Sequence, residues 1–305
     1  MSIFAGLLWV FLFFNLSLAS VPPRTAKLRI AEGSVTVSGV SSGAFMAVQM
    51  HVAHSEIISG SASVAGGVYG CARTGSASAQ LDCMSRPSSD KADDFIEKAR
   101  ELESTGAIGS LENLRNDGVL IFSSLNDSVV KPKNADRLEN FFKAFLAPAQ
   151  LLRRNHETAA HGFPTLNYGN PCDQGKLPWL MQCQLDLAGE ILSFLYESLE
   201  KPASFVKENL KAFSQVPFGS ESALMKDTGW VYLPTACQQG EPCRLHVAFH
   251  GCQMSPDYIK DQFAVHAGYN EWAESNRIVV LYPQATKSPK IPQACWDWFG
   301  ATGAD

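Results

Sequence analysis

The sequence has no excess of basic charge: 25 Lys and Arg stand against 30 Asp and Glu in 305 residues, a formal net charge of -5. That balance excludes a generic nucleic-acid binder, which needs a basic face to neutralise phosphates. Charge of either sign is scarce, 18% of residues where about a quarter is usual. The surface must therefore take its polarity from Ser, Thr, Asn, Gln and Gly, as exported proteins often do. Internal repeats, low-complexity tracts and linkers long enough to separate modules are also missing, which excludes arrays and makes one large domain the economical reading. No C-x-x-C pair is present, so a structural zinc site is not expected. After residue 18 no apolar run reaches the length of a spanning helix. Disorder is excluded in turn, because 46% of the residues are hydrophobic and the net charge is small for the length.

What is present begins with an apolar run from Ile3 to Leu18, broken only by Asn15 and Ser17 and followed by the small residue Ala19 and by Val21-Pro22-Pro23. This pattern predicts an export signal over residues 1–19, cleaved near Ala19, and a mature soluble protein of residues 20–305 with no stable membrane anchor. The location expected is extracellular, or periplasmic in a Gram-negative cell. Eight Cys in an exported chain read as four disulfides. Local spacing suggests Cys71 with Cys83, Cys172 with Cys183, Cys237 with Cys243 and Cys252 with Cys295, although eight cysteines permit about a hundred connectivities.

Apolar runs of strand length alternate with amphipathic stretches, the pattern of a parallel sheet covered by helices. Strands are expected at Ser34–Val40, Ser61–Val68, Val119–Leu125, Gly229–Leu233, Leu245–Phe249 and Ile278–Tyr282. Helices are expected at Gly43–His54, Ala135–Leu146, Leu187–Leu199, Ser204–Phe213 and Asp257–Glu274. The fold class is therefore α/β.

Gly39-Val40-Ser41-Ser42-Gly43 is a G-x-S-x-G pentapeptide between an expected strand and an expected helix. A nucleophile elbow needs small residues on both sides of its Ser, because the sharp turn brings the strand and helix backbones together. A serine hydroxyl is a weak nucleophile and needs a histidine base oriented by a carboxylate. Asp127 follows the strand Val119–Leu125 directly and is the favoured acid; Asp117, in an Asn-Asp-Gly turn, and Asp186, at a helix start, are its rivals. His161 lies in a Gly- and Pro-containing loop downstream, and His156, five residues earlier, competes with it on spacing. His250-Gly251-Cys252 follows another strand, as an oxyanion loop does; its backbone donor pair would be the N–H groups of Cys252 and Ser42. In the common hydrolase order this loop precedes the nucleophile, whereas here it lies far downstream. A circular permutation accounts for that order and predicts that the first strand lies centrally in the sheet.

Gly-Val-Ser-Ser-Gly-Ala-Phe-Met-Ala-Val-Gln-Met at 39–50, Ala-Ala-His-Gly-Phe-Pro-Thr at 159–165, His-Gly-Cys-Gln at 250–253 and Cys-Trp-Asp-Trp-Phe-Gly at 295–300 together resemble secreted poly(3-hydroxybutyrate) depolymerases of the single-domain, circularly permuted α/β-hydrolase type. The resemblance spans about residues 30–300. It implies Ser41 as nucleophile, Asp127 as acid, His161 as base, and Ser42 and Cys252 as oxyanion donors. It further implies that Trp296 or Trp298 lines the substrate crevice, and that hydrolysis of an aliphatic polyester proceeds through an acyl-enzyme without metal or organic cofactor. Relatives of this type continue past the Trp-rich segment into a further helix, while this sequence stops at Gly303-Ala304-Asp305; either it is truncated or the fold manages with a shorter end. The alternatives are an esterase acting on soluble hydroxyalkanoate oligomers or on feruloyl or acetyl groups of polysaccharide, and a noncatalytic binding protein on the same scaffold. A monomer is expected.

Overall fold

The computed structural model describes residues 28–72, 75, 77–219 and 222–303. The expected export signal at residues 1–19 lies outside the described residues. In chain order the elements are β1 (Ile30–Val40), α1 (Ser42–Ala53), β2 (Ile58–Val64), α2 (Ala77–Cys83), α3 (Asp93–Ser104), β3 (Gly118–Ser124), α4 (Pro132–Phe142), β4 (Leu151–His156), β5 (Phe163–Thr165), β6 (Asn170–Pro171) and β7 (Leu180–Gln182). They continue with α5 (Leu187–Leu195), β8 (Leu210–Ser214), β9 (Thr228–Tyr232), α6 (Thr235–Gln238), β10 (Cys243–Phe249), α7 (Pro256–Ile259), α8 (Gln262–His266), α9 (Tyr269–Asn276) and β11 (Ile278–Tyr282).

An eight-stranded sheet runs in the order β4-β3-β2-β1-β10-β11-β9-β8, and β5-β7-β6 form a small second sheet. Neighbours from β4 to β11 pair in parallel, while β9 and β8 are added antiparallel. The sheet is thus mixed rather than wholly parallel, and β1 is central, between β2 and β10. The β3 run Val119-Leu120-Ile121-Phe122 explains why the parallel strands read as continuous apolar segments: Val119 and Ile121 pack with α1, α3 and α4, whereas Leu120 and Phe122 pack with α5, α8 and α9. Side chains alternate across a pleated strand, so a strand covered on both faces must be apolar at successive positions.

The expected helix over Ser204–Phe213 is absent. After one short 3-10 turn, Lys207–Asn209, this stretch forms β8, paired with β9 from Leu210↔Tyr232 to Ser214↔Thr228. The ladder satisfies the backbone and buries Phe213 and Ser214, which overrides the weak helical preference of Lys-Glu-Asn-Leu-Lys-Ala. The expected helix over Asp257–Glu274 is three pieces, interrupted at Lys260 (φ 55°) and Gly268 (φ 95°), where the chain turns through left-handed backbone. The cysteines are joined as Cys71–Cys83, Cys172–Cys183, Cys237–Cys243 and Cys252–Cys295. Among the described residues no helix is long and apolar enough to cross a membrane.

A polar seam runs beneath β1. His246 is fully buried between Thr36 Oγ1 (2.8 Å) and Ser38 Oγ (2.7 Å), and Thr36 and Ser38 lead on to the hydroxyls of Tyr196 and Tyr269. Burial pushes His246 down to about 3 from 6.5. Burial likewise pushes His250 down to about 4, partly offset by its hydrogen bond to the Gly251 carbonyl. Both imidazoles are neutral in the folded protein well below the pH at which they protonate in the unfolded chain. Between those limits the unfolded state binds more protons, so stability is full above about pH 6.5 and is lost as pH falls toward 4 and 3. The expected cost from pH 7 to pH 5 is on the order of 3 kcal/mol for the two groups together. Urea titrations at the two pH values measure it, and equal unfolding free energies would contradict the assignment.

Candidate active site

The elbow is built by close approach of two backbones. A methyl group on Gly39 would sit 2.2 Å from the Gly43 carbonyl oxygen, and one on Gly43 would sit 2.4 Å from the carbonyl oxygens of both His250 and Phe249. Glycine at these two positions lets β1, α1 and the loop after β10 meet. Ser41 stands at the corner with φ 57° and ψ -123°, a backbone conformation that costs a non-glycine residue about 1–3 kcal/mol and persists only where the surroundings impose it. Its N–H donates to Val64 O (2.9 Å), and the first turn of α1 closes on its own carbonyl.

The candidate acid and base come from loops at the same, carboxyl-terminal edge of the parallel strands. Asp127 is 1% exposed. Its Oδ1 accepts the N–H groups of Val129 and Val130, both at 2.8 Å, and its Oδ2 faces His161 Nδ1 at 2.8 Å. His161 Nε2 lies 2.9 Å from Ser41 Oγ. A carboxylate on Nδ1 holds the proton there and leaves Nε2 free to accept from a hydroxyl, the arrangement by which a serine can give up its proton to a base. The rivals have other partners. His156 Nδ1 accepts the N–H groups of Thr158 (3.2 Å) and Ala159 (3.0 Å), shaping the turn that leads to His161. Asp117 meets the buried His51 at 3.1 Å, and Asp186 caps α5 through Gly189 N–H (2.9 Å) and accepts from Trp272 Nε1 (2.8 Å).

His250-Gly251-Cys252 leaves β10 beside the elbow, since Gly39 is in register with Phe249. Gly251 lies against Ser41, where an added methyl group would come 3.3 Å from Ser41 Cβ. The His250 ring braces this loop: Nδ1–H donates to Gly251 O (2.7 Å), and Nε2 accepts from Ala285 N–H (3.1 Å). The Cys252–Cys295 bridge ties the loop to the Trp-rich segment. Among the described residues neither the Ser42 nor the Cys252 N–H has a protein acceptor, so both are available to a ligand oxygen. His246 and His250 stand four residues apart, a spacing that suits a metal on a helix; on a strand each is instead held by the partners above. His156, Cys172 and Cys183 also bring three ligand-type atoms together, but both sulfurs belong to one disulfide.

Two cavities meet at Ser41, one of about 290 Å³ on the His161 side and one of about 390 Å³ on the Ser42 side. Trp298 lines the second, its ring stacked on Phe45 of α1 at 4.0 Å. Trp296 lines neither. It is buried against Phe249, with its indole N–H donating to His250 O (3.0 Å), so it supports the loop from behind and does not face the crevice. Sequence reasoning missed Trp179, whose ring packs edge-on to His161 (centroids 6.1 Å), and Met84, which lines both cavities. The available signals were a Trp following Pro178 in a loop and a Met following Cys83. A larger cavity of about 610 Å³ lies behind Trp298, between α1 and α3, and contains no triad residue.

No protein-family model matches the chain. It is 38% identical over 283 residues to a poly(3-hydroxybutyrate) depolymerase of Delftia acidovorans, covering 91% of this chain and 57% of that protein. It is 32% identical over 294 residues to a polyhydroxybutyrate depolymerase of Talaromyces funiculosus, covering 89% of this chain and 84% of that protein. Thus the chain spans little more than half the length of the bacterial relative but most of the fungal one. Among solved structures, a PHB depolymerase with a serine-to-alanine substitution, complexed with an R3HB trimer, superposes with a TM-score of 0.85 at 30% identity, over 93% of this chain and 92% of that one. A PHB depolymerase from Penicillium funiculosum superposes with a TM-score of 0.83 at 30% identity and the same coverage.

Proposed function

This chain belongs to the poly(3-hydroxybutyrate) depolymerase family, and from that premise we propose that it is an exported, monomeric serine esterase that cleaves poly(3-hydroxybutyrate) or a closely related polyhydroxyalkanoate. The observation that carries the reading is the hydrogen-bonded chain from Ser41 through His161 to Asp127, with steps of 2.9 and 2.8 Å. Ser41 Oγ attacks the ester carbonyl carbon while His161 Nε2 takes its proton. The oxygen that gains charge is held by the N–H groups of Ser42 and Cys252. Collapse breaks the bond to the alcohol oxygen, which leaves with the proton from His161, and water repeats the cycle to free the acid.

The crevice suits a neutral polyester, because Lys290 is the one Lys, Arg, Asp or Glu among the described residues lining either cavity. Exposed Leu81, Leu125 and Leu177 belong to the segments that carry the crevice and supply apolar surface on which an insoluble polymer can rest. Four disulfides fit export to an oxidising compartment.

A fluorophosphonate probe tests the catalytic assignment. One adduct is expected, on the peptide holding Ser41, and none in His161→Ala; folded protein that takes no label would favour a noncatalytic binding protein. Labelled enzyme that hydrolyses 3-hydroxybutyrate trimers or feruloyl esters but leaves the polymer untouched would move the assignment to a soluble-ester hydrolase.

A further inference from the structure

The two cavities share four lining residues: Ser41, Cys252, Gln293 and Met84. Ser41 and Cys252 carry the nucleophile and an oxyanion donor in the proposed reaction, and the Gln293 carbonyl accepts the Gln253 N–H at 2.7 Å to fix the loop beside them. Met84 alone has no such task, yet it borders the crevice on both sides of the point where the ester would break.

Its backbone is held from several directions. The Met84 carbonyl accepts the Lys131 N–H (2.9 Å) and Asn134 Nδ2–H (2.7 Å), both from the start of α4. Cys83, just before it, is bonded to Cys71, and Asp82 pairs with the buried Arg137 at 2.7 Å. Arg137 Nε also donates to Ser89 O (2.9 Å), so the segment is anchored on both sides of Met84. A long unbranched thioether thus projects into the crevice from a fixed main chain. The backbone sets where this wall stands, and the side chain sets how far it reaches.

Resting on the polyester reading, we infer that Met84 sets the size of the alkyl branch accepted beside the scissile bond. In a 3-hydroxyalkanoate ester the branch of the departing unit is on the carbon bonded to the alcohol oxygen, and the branch of the acyl unit is on the second carbon from the carbonyl. Both fall within a few bonds of the carbon that Ser41 attacks, so a residue bordering both cavities at Ser41 meets the branch from either unit. A methyl branch fits beside the thioether, and a propyl branch competes with it for the same space.

The test is the ratio of kcat/KM for 3-hydroxybutyrate trimers to that for 3-hydroxyhexanoate trimers, in the wild type and in Met84→Ala, Met84→Leu and Met84→Phe. A ratio cancels the fraction of protein that is folded, so a poorly folding variant still reports. Two extra methylenes in a closely walled site set a wild-type ratio on the order of 100, and Met84→Ala should lower it about tenfold by removing three side-chain atoms. Met84→Leu, of similar volume, should restore it to within about threefold. Met84→Phe should raise it. An unchanged ratio in Met84→Ala, or equal changes in all three variants, would overturn the assignment. A wild type that hydrolyses p-nitrophenyl acetate but neither trimer would overturn the polyester reading, and the role of Met84 with it.

Discussion

Replacing His161 with alanine should lower kcat on any ester by about 10⁵-fold, because members of a serine triad act as a unit and the loss of the base removes nearly all of its effect. The protein should stay folded, since His161 is a loop residue whose side chain bonds only within the triad. His156→Ala removes the acceptor for two turn N–H groups and a tilted ring contact with Phe122, an effect of about 1 kcal/mol, so its kcat should fall no more than about tenfold. Steady-state kinetics on a soluble p-nitrophenyl ester separates the two. The opposite ranking would remove His161 from its assigned place and put the base on β4.

The second large effect is structural. Gly43→Ala places a methyl group 2.4 Å from two carbonyl oxygens, that of Phe249 at the end of β10 and that of His250 just after it, and backbone atoms cannot swing aside as a flexible side-chain end would. The expected loss is about 3 kcal/mol or more, which for a chain of this size corresponds to a fall in Tm of roughly 5 °C. Activity should fall beyond the loss of folded protein, because the shift separates Ser41 and Ser42 from the Cys252 N–H. Thermal unfolding and the kcat of the folded fraction measure the two parts. A variant with unchanged Tm would show that strand, helix and oxyanion loop do not meet as closely as described.

The elbow was legible because its chemistry is local. Small residues around one Ser, an apolar strand before it and a helix after it all point to one turn, and the contacts of Gly39 and Gly43 show why no larger residue fits. The central place of β1 was legible from the order of motifs, since an oxyanion loop that follows its nucleophile in sequence requires a permuted sheet. Segments whose state depends on distant partners were not readable. Leu210–Ser214 is a strand because β9 lies beside it, and Arg153-Arg154-Asn155 in β4 carries no strand pattern but pairs in register with β3. The two tryptophans of Cys-Trp-Asp-Trp could not be separated by spacing: one packs under the His250 loop and the other stacks on Phe45. Met84 and Trp179 reach the crevice from segments far from Ser41 in sequence, so nothing short of the fold could assemble them.

On the proposed function, Ser41 drives ester cleavage of a polyhydroxyalkanoate. Release of 3-hydroxybutyrate monomer and oligomers from an amorphous poly(3-hydroxybutyrate) suspension, by the wild type and by Ser41→Ala side by side, tests it most directly. Clearing and soluble product are expected from the wild type and neither from the variant. Folded wild-type protein that releases no product, or a Ser41→Ala variant that clears the suspension equally well, would contradict it.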